Sequence, residues 1–348
     1  MLCALIMAGG KGTRFWPLST EDKPKQFLNL INDETMIQMT VNRIKPIIPI
    51  ERIFICTGEM YVDLVKEQLP ELPKRNIIVE PEGRNTAPCI ALSAMVIDRY
   101  YKNSNMVVLP SDHLIKDKEE FRNTLLAADR FIKKKDEAIV TLGMNPTRAE
   151  VGYGYIKYSN EVLKSNDFRV IKVDAFVEKP NLDTAKRYLR EGNYLWNGGM
   201  FIWSINNVIN QIKMYSPDTY NALKDVMKES GEKLQKTINK NYKKTEAISI
   251  DYAVLEKSKD VYVIPSNFGW DDVGSWEALD RYREKDELGN VLVGQSKVIK
   301  ANNNLVISCS NRVIVEGLND IYVIENDGKV LVGHKSNVSN VKALKNII

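Results

Sequence analysis

The sequence predicts an α/β fold with a mainly parallel central sheet, followed by a small β-solenoid or β-helix. Three observations lead there. Short β-branched runs alternate with segments of helical periodicity through the first half of the 348 residues, the pattern of successive βαβ units. Two of those runs, CALIMA and MVVLP, are continuously apolar, as strands buried on both faces are. After Leu288, short strands recur at a close interval between Asn, Asp and Gly turns, the texture of a chain that coils on itself.

Strands are expected at Leu2–Ala8, Arg52–Thr57, Asn76–Glu80, Met106–Pro110 and Ala138–Leu142, where β-branched and apolar residues run between turn formers. The clearest helix is Thr86–Tyr101, with Ala87, Ile90, Ala91, Ala94, Met95 and Tyr101 on one face. Further strands are expected around Tyr153–Tyr158, Val170–Glu178 and Met200–Ser204, with a helix near Leu182–Glu191. The lysine-rich stretch from Val208 to Lys244 reads as helical with a solvated face. Six short strands are expected from Val291 to Val332, and the boundary between residues 1–285 and 286–348 is placed in the polar Glu284–Gly289 stretch.

Forty-nine basic against 45 acidic residues give a net charge of +4 spread along the chain, which argues against a nucleic-acid binder driven by bulk electrostatics. Four scattered cysteines and two histidines offer no zinc-ligand spacing; the cysteines read as small apolar fillers in a reducing compartment. The apolar start, MLCALIMAGG, lacks a basic leader and is too short to span a bilayer. It reads as a buried strand, so a cytoplasmic protein with no membrane partner is expected.

The first strand runs into Gly9-Gly10-Lys11-Gly12-Thr13-Arg14. Ligands of parallel sheets sit beyond the carboxyl ends of strands. Glycines there let successive backbone N–H groups approach phosphate oxygens, and Arg14 and Lys25 add positive charge. The order is neither GxxxxGK(S/T) nor GxGxxG, so neither a P-loop nor a dinucleotide fingerprint is present. A plain glycine-rich turn stays open as the alternative. In Glu80-Pro81-Glu82-Gly83-Arg84-Asn85-Thr86-Ala87-Pro88, Asn85 or Thr86 suits an N-cap, and a helix N-terminus is ready to meet a ligand. Ser111 and Asp112 follow the strand ending at Pro110; a carboxylate there can hold Mg²⁺ or simply form a turn.

The run LIMAGGKGTRFWPLS followed by KPKQFL resembles the sugar nucleotidyltransferases, which join a sugar 1-phosphate to a nucleoside triphosphate and release pyrophosphate. The resemblance assigns the triphosphate to Gly9, Gly10, Gly12, Thr13, Arg14 and Lys25. EPxxRNTAP is similar to the element by which guanylyl-transferring members recognise their base, which implies Asn85 and Thr86 in nucleotide binding, with Ser111 and Asp112 beyond them. In FGWDDVGSW the family pattern selects Asp272 as the partner of Asp112 on Mg²⁺; Asp271 is left to reinforce the field or cap the following helix. GYGYI, FVEKP and WNGGMF resemble the sugar-side elements. They imply that Gly154, Glu178 and Asn197 meet the hexose and that Lys179 meets its phosphate. Gly198 stands where serine is usual, and Val151 where threonine is common; either change bears on sugar fit.

Six elements in order over residues 1 to about 285 point to the members that use GTP and mannose 1-phosphate, with Arg14, Lys25 and Lys179 as the catalytic cations. Another hexose 1-phosphate, or a catalytically silent sugar-nucleotide sensor, are the competing readings. Residues 289–348 resemble the family's small β-helical tail, which implies a homodimer. Longer relatives carry an isomerase domain after this point, and none of its activity is expected here.

Overall fold

In a computed structural model the described residues are 1–345; the last three residues of the expected tail lie outside them. The chain forms two compact units, one of Met1–Gly10 with Thr40–Trp270, the other of Lys11–Met39 with the chain from Asp271 onward.

The first unit is built on nine strands: β1 (Leu2–Met7), β2 (Ile53–Gly58), β3 (Ile77–Glu80), β4 (Asn105–Pro110), β6 (Ile139–Met144), β7 (Tyr155–Ser165), β8 (Phe168–Val177), β9 (Tyr194–Ser204) and β10 (Val261–Ser266), while β5 (Leu114–Ile115) and β11 (Trp270–Asp271) stand outside that sheet. The order is β3-β2-β1-β4-β9-β6-β10-β8-β7. The parallel block β3-β2-β1-β4 holds the strands expected from the apolar runs, and β6 and β10 form a second parallel pair. Between these, β9 runs antiparallel to both β4 and β6. The α/β fold class is therefore as the sequence predicts.

The Thr86–Tyr100 helix is buried along nearly its whole length, consistent with apolar residues on more than one face. It packs in one core with Val208, Ile212, Leu223, Val226, Ile238 and Tyr242. The lysine-rich stretch is several helices rather than one: Ile205–Tyr215, Pro217–Leu223 and Gly231–Asn241, with 3-10 turns between. Pro217 starts its helix at the first turn, and Gly231 sits at φ 55°, so proline and glycine divide the periodic pattern.

The second unit carries β12 (Val291–Ile299), β13 (Leu305–Glu316), β14 (Ile321–Asn326) and β15 (Lys329–His334). The first three are parallel, with Val291, Leu305 and Tyr322 in register. The six short strands expected here merge into four because β12 and β13 each continue through a bend, marked by a register shift between Gly294 and Ser296. Asn304 N–H donates to Asn290 Oδ1 at 2.9 Å and Ile321 N–H to Asn304 Oδ1 at 3.0 Å, an asparagine ladder that ties one rung to the next. The last strand turns back at Asp327-Gly328, both at positive φ, and pairs antiparallel with β14, as an Asp-Gly hairpin does.

Candidate active site

In the first unit, β1 and β4 are parallel neighbours with Met7 opposite Pro110. The glycine loop and the Ser111-Asp112 turn therefore leave the sheet at the same carboxyl end. Ala8 is fixed on both sides: its N–H donates to Cys56 O at 2.8 Å, and its carbonyl accepts from Thr57 Oγ1 at 3.0 Å. A Cβ on Gly9 would lie 2.8 Å from Glu80 Oε2, so the glycine is what lets the Glu80 carboxyl pack behind the loop. Ser111 N–H donates to Met7 O, and its carbonyl accepts from Thr40 Oγ1, each at 3.2 Å. On the other side of half-buried Asp112, the His113 carbonyl accepts from Arg43 Nη2 at 2.9 Å.

Glu80 accepts from the Tyr242 hydroxyl. Burial pushes its carboxyl up, although the hydrogen bonds from Tyr242 and Cys56 pull the other way. The thiols of Cys56 and Cys89 lie with it, all three donor atoms within 4.8 Å. Burial raises the Cys56 thiol; the hydrogen bond between the two cysteines, and then burial, raise the Cys89 thiol further. Cys3, Cys56 and Cys89 are buried, as apolar fillers are, whereas Cys309 is exposed and departs from that expectation.

Asn85 adopts φ 66°, and its Oδ1 accepts the Thr86 N–H at 2.8 Å. Thr86 Oγ1 accepts from Ile250 N–H at 2.9 Å, Ala87 N–H reaches Ile248 O at 3.1 Å, and Arg84 Nη1 donates to Thr245 O at 2.6 Å. This element is thus stapled to the 245–250 segment.

The three sugar-side motifs meet through strand register, with Tyr155 opposite Val177 on β8 and Trp196 on β9. Asn197 N–H donates to Gly154 O at 2.8 Å, and a Cβ on Gly154 would lie 2.6 Å from Glu178 Oε2. Lys179, at φ 41°, places Nζ 3.1 Å from Glu178 Oε1 and remains largely exposed. Tyr153 packs edge-on against both Trp196 and Trp270. The structure adds a residue that the sequence reading missed. Asp251 accepts from Asn197 Nδ2 at 2.8 Å, and burial, reinforced by Glu178, pushes its carboxyl up to about 6.

The second unit gathers Arg14, Lys25 and Asp272. Gly12 takes φ 40°, and a Cβ there would sit 2.7 Å from Lys25 N, so only glycine allows this close approach. Thr13–Phe15 forms a 3-10 turn that carries Arg14 to within 3.6 Å of Asp272 Oδ2. Lys25 is buried, and its ammonium donates to the backbone carbonyl of Asp272. The half-exposed Asp272 carboxylate is a hard oxygen donor suited to Mg²⁺, as is the carboxylate of Asp112.

The model of the nucleotidyl transferase family matches residues 3–288. The chain belongs to the nucleotidyl transferase family. An Escherichia coli protein named mannose-1-phosphate guanylyltransferase is 37% identical over 98% of this chain and 74% of its own length. A protein of the same name from Salmonella montevideo is 39% identical over 99% of this chain and 73% of its own. Among solved structures, a Thermus thermophilus protein described as a mannose-1-phosphate geranyltransferase superposes with a TM-score of 0.84 and 30% identity, covering 99% of this chain and 98% of that one.

In this nucleotidyl transferase the two adjacent aspartates have different surroundings. Asp271 is buried; its Oδ1 accepts from Val273 N–H at 2.7 Å, and its Oδ2 from Tyr282 Oη at 2.9 Å and Arg281 Nη2 at 3.1 Å. It holds Val273 at φ 46°, a conformation costly for a β-branched residue, and ties the turn to the Trp276–Tyr282 helix. Asp271→Ala is expected to lower stability by about 2 kcal/mol. Thermal unfolding checks this, with a clear fall in midpoint as the expected result.

Proposed function

We propose that the chain transfers a guanylyl group from GTP to α-D-mannose 1-phosphate, forming GDP-mannose and pyrophosphate. The observation that carries this reading is the convergence of Gly154, Glu178, Lys179 and Asn197 through strand register, in a chain whose relatives bear that enzyme's name. One lysine beside carboxylate and amide acceptors suits a ligand with one phosphate and several hydroxyls.

A phosphate oxygen of mannose 1-phosphate attacks the α-phosphorus of GTP; the bond to the bridging oxygen breaks, and pyrophosphate leaves in line. The nucleophile is already an anion and needs no general base, so the chain's task is to position two repelling anions and stabilise charge. Gly9, Gly10, Gly12, Thr13, Arg14 and Lys25 hold the triphosphate in this reading, Asn85, Thr86 and Ser111 the rest of the nucleotide, and Lys179 the attacking phosphate. In this reading Asp112 and Asp272 would hold Mg²⁺. When bound, the ion offsets charge on the triphosphate oxygens. Lys25 also donates to the backbone carbonyl of Asp272, which helps to hold the turn that carries that carboxylate.

We propose a cytoplasmic location, which the free thiols of Cys3, Cys56, Cys89 and Cys309 suit. We also propose a homodimer, for which the exposed Ile314, Val330 and Val332 of the C-terminal sheet supply apolar surface. The test of the activity is Mg²⁺-dependent pyrophosphate release across four nucleoside triphosphates and several sugar 1-phosphates. GTP with mannose 1-phosphate is expected to be the fastest pair. No product from that pair overturns the reading, and GDP-mannose binding without turnover favours a sensor.

A further inference from the structure

Asn197 has both ends of its carboxamide engaged. Oδ1 accepts the Gly199 N–H at 3.0 Å, and Nδ2 donates to Asp251 Oδ1 at 2.8 Å. These partners fix which end is which, because a backbone N–H can only donate and a carboxylate can only accept. Of the two, the Gly199 bond is local, two positions along β9, whereas Asp251 comes from 54 positions away. Asp251 opens a five-residue π-helical turn, Asp251–Leu255, whose Ala253, Val254 and Leu255 are buried in the core. Such turns recur at functional sites, and this one anchors the carboxylate to a rigid support.

The charges around Asp251 are unbalanced. Glu178, from the end of β8, and Glu256, from the end of the same turn, both repel it. Lys179 is paired to Glu178, and Lys257 acts on Glu256. A carboxylate kept there against burial and two like charges is a standing cost to the fold, and structural packing alone would be served as well by a neutral amide. What the charge adds is a stronger hold on the Asn197 N–H.

We propose that Asp251 is a positioning residue for the sugar half of the site, locking the Asn197 carboxamide so that selection of the hexose 1-phosphate depends on its carboxylate. This deepens the guanylyltransferase reading and rests on it. With Asp251 in place, Asn197 presents one fixed pattern to sugar hydroxyls; without it, the amide can turn about its side-chain bonds, and discrimination between epimers weakens.

The experiment compares the unmodified protein with Asp251→Asn and Asp251→Ala. GTP is saturating, the sugar 1-phosphate varies across mannose and glucose forms, and the pH runs from acid to neutral. Asp251→Ala is expected to raise KM for the preferred sugar phosphate about tenfold, the worth of one hydrogen bond to a charged group, and to narrow the mannose-to-glucose preference, with KM for GTP unchanged. Asp251→Asn keeps an acceptor and is expected to recover much of the loss. It should also remove the ionisation near pH 6 from the profile of kcat/KM for the sugar.

Stability separates a positioning role from a structural one. A carboxyl whose folded pKa lies above its unfolded value costs the fold most above about 6, and that cost fades as the pH falls through 6 towards the ordinary carboxylate range. Asp251→Asn is therefore expected to unfold at the same or a higher temperature than the unmodified protein at neutral pH, while using the sugar less well. An unchanged sugar KM in Asp251→Ala, equal rises in both KM values, or a retained ionisation in Asp251→Asn overturns the proposal. If the unmodified protein turns over mannose 1-phosphate and these variants match it, this inference alone falls; if it uses no hexose 1-phosphate at all, the activity reading falls with it.

Discussion

Asp272→Ala is expected to reduce kcat by about 10²–10³-fold, the usual effect of removing one group that stabilises transition-state charge, and to make the residual rate nearly insensitive to Mg²⁺. The fold should survive. Lys25 binds the backbone carbonyl of residue 272, which the substitution keeps, and the left-handed Val273 is held by Asp271. The ion pair with Arg14 is partly exposed at 3.6 Å, and such pairs contribute little. Unfolding temperature and Mg²⁺ titration of the rate, measured together, separate this variant from Asp271→Ala, where stability falls first. A normal rate at limiting Mg²⁺ in Asp272→Ala overturns the metal assignment.

Lys179→Ala is expected to cost about 100-fold in kcat/KM for mannose 1-phosphate, roughly 2.7 kcal/mol, while KM for GTP stays the same. The lysine is exposed and touches Glu178 at 3.1 Å, so its removal leaves the fold nearly as stable. Its loss also leaves Glu178 without this ion pair and next to the like charges of Asp251 and Glu256, which opposes an incoming phosphate. Lys179→Arg restores the charge and is expected to regain part of the rate. Steady-state kinetics with each substrate varied in turn decide the matter; an unchanged sugar KM in Lys179→Ala removes the residue from the sugar-phosphate role.

Much of this was legible in the chain because the relevant signals are local. Continuous apolar runs mark β1 and β4 as buried strands, and glycines placed straight after β1 mark a loop that must let other groups come close. Repeated short strands mark the C-terminal coils. Direction of pairing is not local. The run YLWNGGMFIWS reads the same whether its neighbours are parallel or antiparallel, yet β9 opposes both β4 and β6, and its antiparallel pairing with β7 sets Trp196 opposite Tyr155. Asp251 was hidden for a similar reason. Within ISIDYAVLEK it looks like one polar position on a helix, and its meaning comes from Asn197, far back on β9. Asp271 and Asp272 look equivalent as letters, and only the family pattern chose between them; the physical difference lies in Val273, Arg281 and Tyr282, which close around the first of them.

Gly9 and Glu80 occupy one volume between them. The carboxyl of Glu80 stands 2.8 Å from where a Cβ of residue 9 would be, and it is held there by Tyr242. A methyl group at position 9 displaces the carboxyl, and a shorter side chain at position 80 leaves a void behind the loop and strands the Tyr242 hydroxyl. Changes at the two positions are therefore not independent: the double substitution is expected to do less harm than the sum of the singles. A residue larger than glycine at position 9 is therefore expected to do least harm where position 80 has already become smaller, so the order in which such mutations arise matters as well as their identity.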